Sequence, residues 1–210
     1  MTTIALFGGT GRTGRRVLDR ALAAGMRVRL LARNPASVSA PRDHLTVIGG
    51  DVTDPMAVEE TLSGADAVIS VFGQVKGSPP TIQTEGTRVI VEGMQRLGIR
   101  RIITLSGGGL RDPHDRLKAA DRIITLLLKT CAATVLADAE GHLRVLRESS
   151  LDWTVVRGPR LTEQAGAGSF RVGWVGVGTG TQISREDLAD FILTQVEDRQ
   201  FVLALPFVSA

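Results

Sequence analysis

The fold of this chain is decided by Ile4-Ala5-Leu6-Phe7-Gly8-Gly9-Thr10-Gly11-Arg12-Thr13-Gly14. The first four residues form a continuous apolar run, which is typical of a strand buried on both faces of a parallel sheet. Four of the next seven residues are glycine, and apolar residues then recur at helical spacing until Gly25. The order strand, glycine turn, helix predicts the opening unit of a doubly wound α/β domain.

The glycine turn has the properties of a phosphate-binding loop. Glycine allows a tight turn and lets phosphate oxygens approach the main-chain N–H groups. The following helix adds unpaired N–H donors and a partial positive charge at its first turn. We therefore expect the pyrophosphate of a dinucleotide to contact Gly8, Thr10, Gly11, Arg12, Thr13 and Gly14. The alternative interpretation is a tight strand–helix turn that binds no ligand.

Apolar segments along the rest of the chain alternate between strand-like and helix-like periodicity. We predict strands at 28–32, 45–48, 67–71, 101–105 and 153–156, and a last edge strand at 201–205. We predict helices at 84–97, 116–130, 137–149 and 184–196, another helix opened by Asp54-Pro55, and a short hairpin within the glycine-rich residues 166–180. This order predicts one Rossmann-like domain, 1–210, with a doubly wound parallel sheet, helices on both faces and a small C-terminal substrate-side portion at about 159–183.

Basic residues indicate which dinucleotide is preferred. Sites that prefer NAD place an acidic residue after the second strand, where this chain has Arg33. A guanidinium there matches the 2′-phosphate of NADP(H), and Arg12 adds a second positive charge. Asp51, followed by Val52, is a candidate to accept a hydrogen bond from the adenine amino group. The alternatives are that both arginines are solvated and that Asp51 only caps a turn.

Composition narrows the class of protein and the partners. The chain has 210 residues, a net charge of +3 and one cysteine, Cys131, so an intrachain disulfide is impossible. We expect a cytoplasmic protein with no secretory signal and no membrane-spanning segment. The basic residues are scattered, which argues against nucleic acid as a partner. No residues have the spacing of metal ligands.

Several segments resemble the NmrA-like group of the atypical short-chain dehydrogenase/reductase superfamily, and most closely its biliverdin reductase B (flavin reductase) branch. Besides the glycine loop, the similarity rests on Gly50-Asp51-Val52, Asp66-Ala67-Val68-Ile69, Ser78-Pro79-Pro80-Thr81, Glu85-Gly86-Thr87-Arg88, Val145-Leu146-Arg147-Glu148-Ser149 and Ile183-Ser184-Arg185-Glu186-Asp187-Leu188. The resemblance implies an NAD(P)-binding fold. It also implies that the nicotinamide half lies near Phe72, Gly73, Ser106, Pro159, Arg160 and Leu161.

The chain also departs from that family. Many members use a Tyr-x-x-x-Lys pair, but this sequence contains no tyrosine, and the zone of the lysine reads Ala137-Asp138-Ala139-Glu140. The biliverdin reductase B pattern has a histidine where this chain has Arg160. It also has a second basic residue after the second strand, where this chain has Ser37, which weakens the NADP(H) prediction.

Candidate side chains for chemistry are few. Ser106 is a candidate to hydrogen-bond the cofactor carboxamide or the acceptor, although it is equally placed to end a strand. We expect His44, His114 and His142 to be surface residues. Trp153 is expected in the core, and Trp174 is a candidate to border the substrate cavity.

Two functional hypotheses follow. The first is an NADPH-dependent oxidoreductase that passes hydride to a flat small-molecule acceptor such as a flavin or quinone, which solvent can protonate. The alternative is a redox-sensing regulator that binds NADP(H) without turnover and reports to a protein partner. An isomerase or epimerase is disfavoured by the missing tyrosine.

Overall fold

The computed structural model describes residues 1–38, 42–117 and 132–210. The strands are β1 (Thr3–Phe7), β2 (Arg27–Ala32), β3 (Leu45–Gly49), β4 (Ala67–Ser70), β5 (Arg101–Gly107), β6 (Asp152–Gly158), β7 (Arg160–Thr162), β8 (Arg171–Gly173), β9 (Gln182–Ser184) and β10 (Phe207–Ser209). The helices are α1 (Arg12–Ala23), α2 (Pro55–Leu62), α3 (Ile82–Leu97), α4 (Ala133–Glu148) and α5 (Arg185–Thr194), with a short 3₁₀ helix at Pro35–Ser37.

The central sheet has eight strands in the order β3-β2-β1-β4-β5-β6-β10-β8. Each neighbouring pair is parallel except β8, which runs antiparallel to β10. The chain winds outward from β1 through β2 to β3 and then returns to β4 on the other side of β1. This reversal opens a crevice at the carboxyl ends of β1 and β4, where such sheets bind ligands. The Rossmann-like doubly wound fold predicted from the sequence is confirmed.

Helices cover both faces of the sheet because each central strand is apolar on both sides. In β1, Ala5 and Phe7 enter the core beneath α2, α3 and α4, whereas Ile4 and Leu6 enter the core beneath α1 and α5. All four residues are buried. Trp153 lies in the first of these cores, as expected. Among the described residues, no helix is long and apolar enough to cross a membrane.

The last strand lies elsewhere than predicted. The apolar residues 201–205 do not form an edge strand, because Leu203 takes a positive φ of 60° that breaks the extended backbone. The strand forms instead at Phe207–Ser209 and lies inside the sheet, between β6 and β8.

Two other predicted elements also differ. The short hairpin expected within 166–180 is replaced by β8, which pairs with β10, followed by a tight turn that joins Trp174 to Val177. The helix predicted at 116–130 and Cys131 lie almost entirely outside the described residues. The helix predicted at 137–149 begins earlier, at Ala133.

Candidate functional site

A cleft of about 520 Å³ lies along the carboxyl ends of the central strands. The predicted site residues that line it are Gly8, Thr10, Gly11, Arg12, Thr13, Arg33, Asp51, Val52, Phe72, Gly73, Ser106, Pro159 and Leu161. Residues far apart in sequence meet here because β1, β4, β5 and β6 all end at the same edge of the sheet. Of the predicted set, Gly14 and Arg160 do not line the cleft. Arg160 is exposed, and neighbouring side chains of a strand point in opposite directions, so Leu161 faces inward instead.

The three spaced glycines of the loop have different structural roles. A Cβ on Gly14 would lie 2.1 Å from the carbonyl oxygen of Gly8, so Gly14 allows α1 to pack against the loop. Gly8 has a φ of +84°, and its Cβ would lie 2.6 Å from the backbone nitrogen of Phe72. A Cβ on Gly11 would meet only the Gly8 oxygen, at 3.3 Å. The fold therefore requires glycine at 8 and 14, whereas Gly11 leaves open space at the floor of the cleft.

The first turn of α1 is open to an anion. Its N-cap residue, Gly11, has no side chain to bond the free N–H groups, and no acidic residue lies in the first turn. By contrast, Asp54 caps α2 and Ser184 caps α5 through their side chains. Unpaired N–H donors at a helix N-terminus bind phosphate oxygens well. The first turn of α1 therefore has the donor set that a pyrophosphate requires.

Three arginines surround one carboxylate beside this turn. The Oε1 atom of Glu163 accepts hydrogen bonds from Arg185 Nε at 2.8 Å and Arg12 Nη1 at 3.4 Å, and its Oε2 atom accepts one from Arg16 Nη2 at 2.9 Å. The hydrogen bond from Arg185 lowers the pKa of Glu163, burial opposes this change, and the charges of all three arginines lower the pKa further. With one negative and three positive groups, the cluster keeps a net positive charge at the cleft.

Arg33 and Asp51 lie together at the end of the cleft formed by the residues after β2 and β3. Burial alone would raise the pKa of Asp51, but hydrogen bonds from the N–H and hydroxyl of Thr53, with the charge of Arg33, lower it. Those two bonds measure 3.0 and 2.8 Å, so Asp51 caps a turn. This is the role that the alternative interpretation of the sequence gave to Asp51. Arg33 is exposed and remains accessible to a ligand.

Among the described residues, the side chains that line the opposite end of the cleft are uncharged. Ser106, at the end of β5, is only 8% exposed and lines the cleft. Sequence reasoning missed other residues that line the cleft, among them Gln74, Val75, Ser78, Ile82, Gln83, Val135 and Ala139. These residues come from the loop after β4 and from the starts of α3 and α4. The loop after β4 could have been predicted from the sequence, because the residues that follow parallel strands lie at the same edge of the sheet as the glycine turn.

Asp138 lies in the zone where members of the similar family carry the lysine of the Tyr-x-x-x-Lys pair. In this chain it caps a helix. Its carboxylate accepts hydrogen bonds from the backbone N–H groups of Gln83 at 3.0 Å and Thr84 at 2.8 Å, and from the Thr84 hydroxyl at 2.7 Å. It also accepts one from Gln74 Nε2 at 3.1 Å. Asp138 thus supplies the cap that α3 lacks at its own N-terminus. Through its bond with Gln74 it also holds the loop after β4 against α4.

The histidine and tryptophan predictions have mixed outcomes. His44 and His114 are exposed as expected, but His142 is 1% exposed, so its surface assignment was wrong. It lies on the face of α4 that carries Ala139 and Leu146, a spacing visible in the sequence. Trp174 stacks on His114, with ring centroids 4.7 Å apart, and is not among the residues that line the cleft.

Comparisons with known proteins agree with this geometry. The chain is 27% identical over 220 residues to UPF0659 protein C216.03 of Schizosaccharomyces pombe, covering 96% of this chain and 87% of that protein. It is 29% identical over 154 residues to the (4-alkanoyl-5-oxo-2,5-dihydrofuran-3-yl)methyl phosphate reductase of Streptomyces griseus subsp. griseus. That alignment covers 73% of this chain but only 46% of the reductase.

Solved structures share the fold at low sequence identity. The oxidoreductase ylbE from Lactococcus lactis superposes with a TM-score of 0.81 at 21% identity, covering 100% of this chain and 90% of that chain. A short-chain dehydrogenase/reductase from Veillonella parvula in complex with NADP superposes with a TM-score of 0.79 at 20% identity, covering 100% and 94%. A sequence profile described as NAD(P)H-binding matches residues 8–199, from the glycine loop to beyond α5. The chain therefore belongs to the NAD(P)H-binding family.

Proposed function

We propose that this chain is an NADPH-dependent reductase that transfers hydride to a flat, uncharged acceptor such as a flavin or a quinone. The observation that carries the proposal is the contrast between the two ends of the cleft. Arg12, Arg33 and Arg185 line the end that would hold the phosphates and the adenosine. At the other end the described residues have neutral side chains, such as Ser106, Gln83 and Val135. A cationic end suits the cofactor's phosphates, and a neutral end suits a planar acceptor.

The residues fit the cofactor in three respects. Gly11 leaves space at the floor of the cleft, α1 has no side-chain cap, and Arg33 is accessible where a 2′-phosphate would lie. Asp51, held by Thr53, borders the adenosine position beside Arg33. When bound, NADPH would supply the hydride. The preference for NADPH over NADH rests on Arg33 and is part of the proposal.

The absence of tyrosine from the sequence restricts the acceptor. Reduction of a plain ketone needs an acid to stabilise the developing alkoxide, and the described residues around Ser106 offer amides, hydroxyls and apolar groups instead. Flavins and quinones delocalise the added electron pair, so water can complete their protonation. In this scheme Ser106 orients the carboxamide or the acceptor. Gln83, whose side-chain amide donates a hydrogen bond to the backbone oxygen of Leu105, lines the same end of the cleft.

Further support comes from the Streptomyces relative, which is named as a reductase. We also propose that the chain is an NmrA-like protein of the flavin reductase branch. We further propose that it is a single cytoplasmic domain, that residues 159–183 form its substrate-side portion, and that it binds neither nucleic acid nor membranes.

The test is NADPH oxidation, followed by absorbance, with FMN, FAD and a series of quinones, set against simple ketones and aldehydes. We expect steady turnover with flavins or quinones and little with the carbonyl compounds. Tight NADPH binding without turnover of any acceptor would contradict the reductase and favour a redox-sensing regulator that reports to a protein partner. Efficient reduction of a plain ketone would contradict the proposed chemistry.

A further inference from the structure

Arg185 reaches the phosphate end of the cleft from the far end of the chain. It is the first residue of α5, yet its Nη1 donates a hydrogen bond of 2.9 Å to the hydroxyl of Thr13, 172 positions away. Its Nε is held by Glu163 at 2.8 Å, and its side chain is only 11% exposed. Two contacts on different atoms therefore fix the guanidinium beside the first turn of α1.

The arrangement leaves hydrogen-bond donors available on the cleft side. Thr13 is buried and lines the cleft, and since its oxygen accepts from Arg185, its own hydrogen remains available to donate. Among the described residues, none accepts a hydrogen bond from Nη2 of Arg185. These donors adjoin the first-turn N–H groups of α1, which no side chain caps. Such a group of donors is complementary to a phosphate anion.

The charge balance favours an anion at the same place. Glu163 contacts Arg12, Arg16 and Arg185, so it orients Arg185 without neutralising the cluster. Arg12 and Glu163 are largely exposed, at 76% and 50% of their side chains, whereas Arg185 is enclosed. Arg16 is also held by two hydrogen bonds, but it does not line the cleft. Of the three arginines, Arg185 is therefore the one that both lines the cleft and has a fixed position.

We infer that Arg185 binds the pyrophosphate that NADH and NADPH share, and that it sets affinity for both cofactors. This inference rests on the proposed cofactor binding. It gives Arg185 and Arg33 different roles, because of these two residues Arg33 is the one proposed to contact the 2′-phosphate. Loss of Arg185 should weaken the binding of both cofactors by the same factor, whereas loss of Arg33 should weaken the binding of NADPH alone.

The test measures the Kd values of NADPH, NADH and ADP-ribose by fluorescence or calorimetric titration. Arg185→Gln should raise all three Kd values by about 10- to 100-fold, the range for a lost charge-assisted hydrogen bond. Arg185→Lys keeps the charge without the planar fork and should recover part of the affinity. Arg20→Gln is the matched control, since Arg20 lies on α1 and pairs with Asp190 and Glu186 outside the cleft.

Thermal melting of each variant without nucleotide separates binding from folding. Unchanged Kd values in a folded Arg185→Gln variant would overturn the inference, as would a loss confined to NADPH or an equal loss in Arg20→Gln. If Arg185→Gln does not fold, the test is the titration of Arg185→Lys. Wild-type affinity of that variant for NADPH and NADH would overturn the inference. Wild-type protein that binds neither NADPH nor NADH would refute the proposed function itself.

Discussion

Replacing Gly11 with valine should remove nucleotide binding while leaving the protein folded. The backbone there is extended, with φ −75° and ψ 169°, which valine adopts readily, and the added Cβ meets only one atom, at 3.3 Å. Valine is a poorer N-cap than glycine, so we expect a stability loss of about 1 kcal/mol. For a chain of this size that is a fall of roughly 2–4 °C in Tm.

Binding should respond much more strongly than stability. The valine methyl groups would occupy the space through which a pyrophosphate reaches the first-turn N–H groups of α1. Losing two charge-assisted hydrogen bonds weakens binding at least about 100-fold. Gly14→Ala is the counterpart, because its Cβ would lie 2.1 Å from the oxygen of Gly8 and 2.7 Å from Cα of Gly9. Both contacts are backbone, so this variant should lose about 4 kcal/mol or more of stability.

The assay combines differential scanning calorimetry with NADPH titration on both variants. We expect Gly11→Val to melt within a few degrees of wild type and to bind no NADPH, and Gly14→Ala to melt at least about 10 °C lower. A folded Gly11→Val protein that keeps wild-type affinity would show that the loop is only a turn. Wild-type melting of Gly14→Ala would refute the packing argument.

Three further predictions concern cofactor choice, turnover and pH. Arg33→Asp should weaken NADPH binding far more than NADH binding in parallel titrations, and equal wild-type affinity for both cofactors would contradict the 2′-phosphate assignment. Ser106→Ala should lower turnover by roughly 10- to 100-fold with little change in Tm, because it removes one orienting hydroxyl; an unchanged rate would exclude that role. Burial, partly opposed by the charge of Asp138, lowers the pKa of His142 from 6.5 to about 4. The unfolded chain therefore binds a proton that the folded chain does not, so stability should fall by about 3 kcal/mol between pH 6.5 and pH 4. Urea denaturation of His142→Leu should show that this part of the pH dependence is lost, and an unchanged slope would contradict it.

The sequence predicted best what contiguous residues encode. The strand before Gly8 and the helix after it follow from periodicity and turn chemistry within about 20 residues, and the structure reproduces them. The surface assignment of His142 was wrong although the residue occupies the apolar stripe of α4, because the assignment rested on its not following the carboxyl end of a strand. A helical projection would have placed it beside Leu146, inside the core.

Long-range partners were beyond sequence reasoning. From the sequence, Arg185 belonged only to the predicted helix at 184–196 and to the family-like segment 183–188. Ser184 and Asp187 do cap that helix. Its contact with Thr13 depends on α5 packing against α1, which no local pattern specifies. In the same way, Asp138 caps α3 from another helix, about 55 residues along the chain. Such contacts exist only once the sheet has brought the helices together.

The interior position of β10 has a consequence for how the protein is made. Residues 207–209 separate β6 from β8, and within the described parts of the chain they are the only strand that pairs with β8. While these residues are still within the ribosome, a nascent chain presents an open edge at β6, and open edges invite pairing with other chains. Correct assembly therefore competes with aggregation until residues 207–209 have left the ribosome and paired with β6.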